Sequence, residues 1–326
     1  MGNDAWGPGD PHVGLLRCPV CGSGFQASGA SRGETRTLTC ERGHAFDVAR
    51  SGYVNLVPGG SRTAGTGDTP GMLAARSRFL DRGRYRPLSA LVNRLAGEAL
   101  PSGAAMEGEP TCAVEVGAGT SHHLASLRAS LAPVDSSASG DAGVWPLCWF
   151  GIDVSKAACR LASKAHPSAR FVVADVKLGL PLRSGCAAAV LDVFAPRDPA
   201  EFRRILHPEG VVLVVIPGPD HLHELVRDLG LLHVHPGKED ALLDGFTRQG
   251  LHLVHREELR FTMGLGPDEV ADLVAMGPSA HHRPPAATDG PAATSGQPAT
   301  ASFVVLLFEP RPQAARTDAA PTVPSM

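Results

Sequence analysis

The sequence predicts an α/β protein: an open, mostly parallel sheet with helices on its faces, preceded by a small metal-bound module. Three observations carry that reading. Val114-Glu115-Val116 runs into Gly117-Ala118-Gly119 and on to Thr120-Ser121-His122-His123-Leu124, which reads as strand, tight turn and helix start. Further apolar runs follow at the spacing of strand–helix units, several ending in an acid. Near the start, a CxxC pair is answered eighteen residues later by CxxxH.

Taken in order, residues 1–14 are Gly/Pro/Asp-rich and are expected to be disordered. Residues 15–60 form the metal module. Cys18 and Cys21 open one knuckle, and Cys40 and His44 close the other. Three thiolates and one imidazole make a complete tetrahedral set, which suits structural zinc, whereas a catalytic zinc keeps one position open. Such a metal holds together a module too small for a core of its own. Ala45 to Val57 alternates in part and reads as a short strand pair. Residues 61–109 form a linker and helices, with Gly59–Pro70 as Gly/Ser/Thr linker and Met72–Leu80 as helix. Between 61 and 100, Arg62, Arg76, Arg78, Arg82, Arg84, Arg86 and Arg94 face only three acids, a charge run fit for an RNA backbone.

The glycine turn offers positive-φ freedom, a close backbone approach and the unpaired N–H groups of a helix start. The second strand, Cys148–Asp153, ends in an acid before Ser155, a helix cap. A carboxylate there suits a ribose diol, since it accepts from both hydroxyls. The third strand, Arg170 to Asp175, also ends in an acid. The fourth contains Asp192 and leads into Phe194-Ala195-Pro196. Leu206 to Gly210 reads as helix end and turn, and Val211–Ile216 as the fifth strand. A dinucleotide site would show GxGxxG, but here His122 fills the third place. This succession resembles the class I S-adenosylmethionine (SAM)-dependent methyltransferases. The resemblance implies a Rossmann-like seven-stranded sheet over residues 110–309, with SAM held by Gly117, Gly119, Asp153 and Asp175. The loop after the fourth strand then faces the substrate.

Pro133–Gly143 reads as an exposed loop, His221–Gly230 as a helix and Leu231–Leu251 as irregular chain. His233 and His235 lack a partner at metal-ligand spacing. Leu253–Met263 reads as a strand. Pro267–Met276 reads as a helix with acids in its first turn, as its dipole prefers. Residues 283–300 form a low-complexity, flexible insertion, Ser302–Phe308 the last strand, and 310–326 a disordered tail.

The chain has 326 residues, 43% of them hydrophobic, a net charge of −3 and seven cysteines. That is enough apolar content for a sizeable core, and the charge gives no global basic field. The cysteine pattern is not that of a secreted disulfide framework. No signal peptide or bilayer-length apolar run is visible, so a soluble cytoplasmic protein without a membrane partner is expected.

A closer resemblance rests on CPVC, CERGHAFDVARSGYVNLV, GDTPGMLAARSRFLDRGRYRPL, Ile216-Pro217-Gly218-Pro219-Asp220-His221-Leu222 and Met263-Gly264-Leu265-Gly266. These look like the RlmA-type 23S rRNA guanine-N1 methyltransferases, over about residues 16–280. The resemblance implies an RNA-recognising zinc ribbon, a homodimer and an rRNA hairpin as substrate. It adds Tyr85, Gly119-Thr120 and His221 as SAM contacts. The family includes a tylosin-resistance enzyme, and the Ala/Gly/Pro/Arg-rich composition fits that macrolide-resistance branch. Where the family has Asp-Ile-Gly-Cys-Gly this chain has Glu115-Val116-Gly117-Ala118-Gly119, and Phe194 replaces a tyrosine. Asp192 and Phe194 are the catalytic candidates, the first (or else a nearby backbone carbonyl) as proton acceptor and the second as a stacking surface. The alternative is a small-molecule methyltransferase with a structural zinc module.

Overall fold

The computed structural model describes residues 5–27, 36–59, 67–100, 111–132, 147–232, 237–277 and 296–310. The expected loop at 133–143, His233 and His235, and residues 283–295 and 311–326 lie outside them.

The chain begins with a short helix α1 (Pro11–Leu15), Pro11 being prearranged for a first turn. Three short strands follow, β1 (Phe25–Ala27), β2 (Thr37–Cys40) and β3 (Ala45–Asp47), paired antiparallel in the order β1-β2-β3. The next strand, β4 (Tyr53–Asn55), leaves this ribbon. Two helices follow, α2 (Pro70–Asp81) and α3 (Arg86–Ala99). Thr69 caps α2 by accepting from Met72 N at 3.3 Å, and Pro70 opens its first turn. The α/β body runs β5 (Cys112–Val116), α4 (His122–Ser130), β6 (Cys148–Asp153), α5 (Lys156–Ala165), β7 (Arg170–Val173), β8 (Ala187–Val193), α6 (Pro199–Ile205) and β9 (Leu206–Pro217). It closes with α7 (His223–Leu229), α8 (Lys238–Arg248), β10 (His252–Leu265), α9 (Pro267–Ala275) and β11 (Gln297–Glu309).

The main sheet has the order β10-β11-β9-β8-β5-β6-β7-β4. From β9 to β4 every neighbour pair is parallel, whereas β11 is antiparallel to both β9 and β10. Every residue of β5 and β8 is buried, because helices cover both faces. The chain builds β6 and β7 on one side of β5, then returns to lay β8 on the other. That reversal opens a crevice at the carboxyl ends of β5 and β8, where α/β sheets bind ligands.

Four expectations need correction. Among the described residues the sheet has eight strands instead of seven, because β4 pairs parallel with β7 through Tyr53↔Phe171, Val54↔Val172 and Asn55↔Val173. For the same reason Ala45–Val57 is not a strand pair: β3 belongs to the ribbon and β4 to the main sheet, joined by a single Val48↔Val54 bridge. The start of the chain is packed from Ala5 onward. Trp6 is fully buried and its indole N–H donates to Gly52 O at 2.8 Å. Asp10 accepts from Trp6 N at 2.7 Å and from Arg170 Nε at 2.8 Å, and His12 Nε2 accepts from Trp149 N at 3.2 Å. Leu231–Leu251 contains α8, whose Leu242 and Phe246, four residues apart, bury one face.

Two boundaries also move. β11 begins at Gln297, so the last residues of the expected insertion are strand. β9 begins at Leu206, and a register shift between Ala187 and Ala189 absorbs the expected turn. No helix of the described residues is long and apolar enough to cross a membrane.

Candidate active site and metal centre

The ribbon's two knuckles are built alike. Gly22 N donates to Cys18 O and Gly43 N to Cys40 O, both at 2.8 Å, and both glycines have positive φ. Each knuckle curls its backbone around a thiol. The side-chain donor atoms of Cys18, Cys21, Cys40 and His44 all lie within 4.8 Å of one another. Cys21 Sγ is 3.6 Å from Cys40 Sγ, while His44 Nδ1 is 3.4 Å from Cys40 Sγ and 3.7 Å from Cys18 Sγ. Zinc–ligand bonds of the usual length give tetrahedron edges of roughly 3.6–3.8 Å, so these residues fit a closed zinc site. All four expected ligands converge, and the metal is structural.

The second site is the crevice between β5 and β8. Gly117 and Gly119 have φ of 68° and 53°. A Cβ at Gly117 would collide with Ala195 Cβ, and one at Gly119 would sit 2.8 Å from Arg76 Nη1. At Gly117 the contact excludes any side chain, whereas at Gly119 a side chain would have to displace the Arg76 tip and hold a positive φ, which favours glycine. The turn is tied down from β6: Asp153 Oδ2 accepts from Gly119 N at 2.8 Å and Asp153 Oδ1 from Ser155 N at 2.7 Å. Burial raises the Asp153 pKa, and those two N–H groups restrain the rise. Behind the turn, Glu115 accepts from Leu124 N at 3.2 Å, and burial lifts its pKa to about 8. Thr120 continues the turn into α4. Asp175 stands just past β7 and accepts from Lys177 N at 3.0 Å. A glycine turn at the sheet's reversal, with Asp153 and Asp175 at the ends of the next two strands, fits the sulfonium and ribose of SAM.

The loop after β8 carries the two catalytic candidates. Asp192 has no exposed surface; burial raises its pKa to about 7, against the pull of Arg197, whose Nη2 lies 3.1 Å from Oδ1. Phe194 points outward instead, 42% exposed, on a backbone with φ of 57°. Its ring stacks with His221 at a centroid distance of 6.5 Å and 27°. His221 Nδ1 accepts from Ser302 N at 3.3 Å, so the ring proton is on Nε2. Burial lowers the His221 pKa to about 4, and the ring is neutral at pH 7. Tyr85 lies 6.4 Å from His221 and packs edge-on against Phe79 at 5.1 Å and Phe303 at 5.0 Å. Burial pushes the Tyr85 hydroxyl well above its ordinary range.

A zinc-ribbon family model described as RlmA, N-terminal, matches residues 16–63. The chain is 45% identical over 273 residues to the 23S rRNA (guanine(748)-N(1))-methyltransferase of Streptomyces fradiae, covering 84% of this chain and 88% of that protein. It is 41% identical over 312 residues to a Micromonospora griseorubida protein named for 23S rRNA guanine-N1 methylation, covering 93% and 98%. A Bacillus subtilis protein with that designation is 32% identical over 65% of this chain and 67% of its own length.

The chain belongs to the 23S rRNA (guanine-N1-)-methyltransferases.

In this methyltransferase, the expected SAM residues other than Asp175, which stands apart past β7, fall into two groups. Gly117, Gly119, Thr120 and Asp153 form the turn itself, while Tyr85 and His221 join Phe194 in one aromatic cluster. Sequence reasoning missed the residue that unites that cluster. Phe303 on β11 touches Tyr85, His221 and Phe194, with centroids 5.0, 4.9 and 5.5 Å away. Only the register of β11 against β9, Phe303↔Pro217, brings it there.

The arginine run is organised differently from the expectation. Arg78 grips Asp272 of α9 with Nη2 at 2.5 Å, and Arg84 grips Glu269 with Nε at 2.6 Å and Nη2 at 2.8 Å. Arg82 lies 4.0 Å from Glu269 and 3.9 Å from Asp272. Arg94 pairs with Glu257 at 2.7 Å, and Arg76 with Asp68. Most of this basic charge is balanced within the fold, and Arg78, Arg82 and Arg84 clamp α2 and the turn after it to α9. Arg62 lies outside the described residues.

Proposed function

We propose that this enzyme transfers a methyl group from SAM to N1 of a guanine in a hairpin loop of 23S rRNA. The observation that supports the reading most strongly is the 88% coverage, at 45% identity, of the Streptomyces fradiae relative, whose name specifies guanine 748. We carry that position over to this chain, and with it the macrolide (tylosin-type) resistance of that branch. The substrate places the enzyme in the cytoplasm, and the family resemblance supports a homodimer that holds the hairpin.

SAM, when bound, supplies a methyl group already activated on a sulfonium. Gly117, Gly119, Thr120, Asp153, Asp175, Tyr85 and His221 would hold it. The protein's part is to align the base and keep water away. Phe194 offers an exposed ring face on which a splayed guanine stacks. Phe79, Tyr85 and Phe303 form the dry wall behind it. Asp192 has no surface to offer N1, so it acts on the loop through Arg197, whose Nη2 also donates to Ala195 O at 3.0 Å. The zinc ribbon grips the RNA, leaving the paired arginines of α2 to hold α9.

The test is primer extension on large-subunit RNA from cells with and without the gene, because N1 methylation blocks reverse transcription. A new stop one base before position 748 is expected. No stop, together with methyl transfer to a metabolite, would identify a small-molecule enzyme instead.

A further inference from the structure

The glycine turn has a neighbour that no SAM-binding motif assigns. The segment Gly67–Thr69 lies against the β6–α5 connection: Ser155 Oγ donates to Asp68 O at 3.0 Å, and a Cβ on Gly67 would sit 3.0 Å from Ser155 Cβ. Asp68 is thereby fixed next to the turn that Asp153 holds. From the middle of α2, Arg76 reaches the same place. Its Nη1 pairs with Asp68 and faces the Cα of Gly119, and its Nη2 donates to Met276 O at 3.2 Å. A salt bridge therefore lies directly on Gly119, with Arg76 Nη1 in the space that a side chain there would take. Both side chains are only partly exposed, Arg76 at 29% and Asp68 at 19%.

The acids that face the turn are Asp153 and Asp68, whereas burial keeps Glu115, behind it, protonated at pH 7. Such a set suits the sulfonium and ammonium of SAM but leaves its α-carboxylate unmatched. Arg76 is the guanidinium that the fold sets against the turn, and a guanidinium fork is suited to a carboxylate. An amino-acid end carries one charge of each sign at short separation, as does the Asp68–Arg76 pair.

We propose that Arg76 and Asp68 form the seat for the amino-acid end of SAM, Arg76 taking the α-carboxylate and Asp68 the α-ammonium. The proposal rests on the glycine turn being the SAM site. The ion pair seen here then opens on binding, each partner exchanging the other for the matching charge of the ligand. α2 thus becomes part of the cofactor pocket.

Isothermal titration of the full-length protein tests this with three probes. S-adenosylhomocysteine has the whole amino-acid end, decarboxylated SAM keeps only the ammonium, and 5′-methylthioadenosine has neither charge. Arg76→Ala is expected to weaken S-adenosylhomocysteine by roughly tenfold or more, the loss of a charge-assisted hydrogen-bonded pair. It should leave decarboxylated SAM and methylthioadenosine within about twofold of wild type, less than half the free energy of a tenfold change. Asp68→Asn should weaken the first two probes and spare the third. Arg76→Lys should recover part of the loss, since a point charge remains without the fork. Equal weakening of all three probes by Arg76→Ala would mean that the turn has collapsed, and an unchanged S-adenosylhomocysteine affinity would mean that the carboxylate sits elsewhere. Either result overturns the proposal. A wild-type protein that binds none of the probes would overturn the SAM reading itself, and the proposal with it.

Discussion

The ring of Phe194 stacks over that of His221 at 6.5 Å and 27°, joining the loop after β8 to the turn after β9. One ring is largely buried and neutral; the other turns a face to solvent. The pair thus forms one aromatic platform, backed by Phe303.

If that platform receives the guanine, Phe194→Ala removes the stacking surface and leaves the glycine turn intact. Stacking of a base on an aromatic ring contributes about 1–3 kcal/mol. Methyl transfer to an rRNA hairpin should fall about 5- to 150-fold. S-adenosylhomocysteine affinity should change little, and Phe194→Tyr should restore transfer. Single-turnover assays with titration calorimetry separate the two effects.

Asp192 predicts a pH trend in stability. Its folded pKa of about 7 is above the unfolded value of 3.8, because burial disfavours the charge. The folded state binds the extra proton between those values, so this residue's contribution to stability falls as pH rises from about 4 to 7. Asp192→Asn should abolish that trend, gaining on wild type as pH rises from 5 to 8 in thermal melts. A gap independent of pH would mean that Asp192 stays ionised throughout.

Asp10 shows the opposite sign. Burial works to raise its pKa, but hydrogen bonds from His12, Arg170 and Trp6 outweigh it and hold the carboxyl far below 3.8. Its stabilisation is complete above about pH 4 and is lost as pH falls below that. Asp10→Asn should lower stability at neutral pH by about 1–3 kcal/mol, and the difference from wild type should shrink in acid. Trp6→Ala, which empties a fully buried site, should cost about 3–5 kcal/mol. Denaturant unfolding curves measure both.

Zinc removal should act locally. With the metal chelated, amide exchange should become fast through the two knuckles and β1–β3. Val54, paired with Val172 in the main sheet, should stay protected. Fast exchange at Val54 as well would show that ribbon and sheet open as one unit. Cys18→Ser should reproduce the chelator's pattern.

Arg84→Ala tests the clamp on α9. It should reduce stability by about 1 kcal/mol, the modest size expected for a pair exposed on its arginine side. The salt dependence of rRNA-hairpin binding should be unchanged. A shallower salt slope would make Arg84 a phosphate contact.

Much of this organisation is legible in the sequence because short-range chemistry encodes it. The Cys18/Cys21 and Cys40/His44 spacing dictates the metal site. Gly117, Gly119 and Asp153 mark the turn because each does a job that few other residue types can do. What is not legible depends on distant partners. Trp6 sits in a stretch whose composition reads as loose, and only its pocket near Gly52 and Phe150 orders it. The arginine run looks like a nucleic-acid surface until Asp272 and Glu269, almost two hundred residues away, take up its charge. Phe303 looks like one more apolar residue of a buried strand until register sets it beside Tyr85 and His221.

The placement of β4 has a mechanical consequence. A module tethered by a free linker would sample many distances from the reaction centre. Here Tyr53–Asn55 is stitched into the same sheet that carries Asp153 and Gly117, a few strands away. The ribbon and the crevice therefore keep a constant separation, and the protein works as a calliper. If the ribbon seizes the RNA as proposed, a nucleotide is selected partly by how far it stands from that point, and lengthening the stem of the proposed hairpin by one base pair should defeat modification even when the loop sequence is kept.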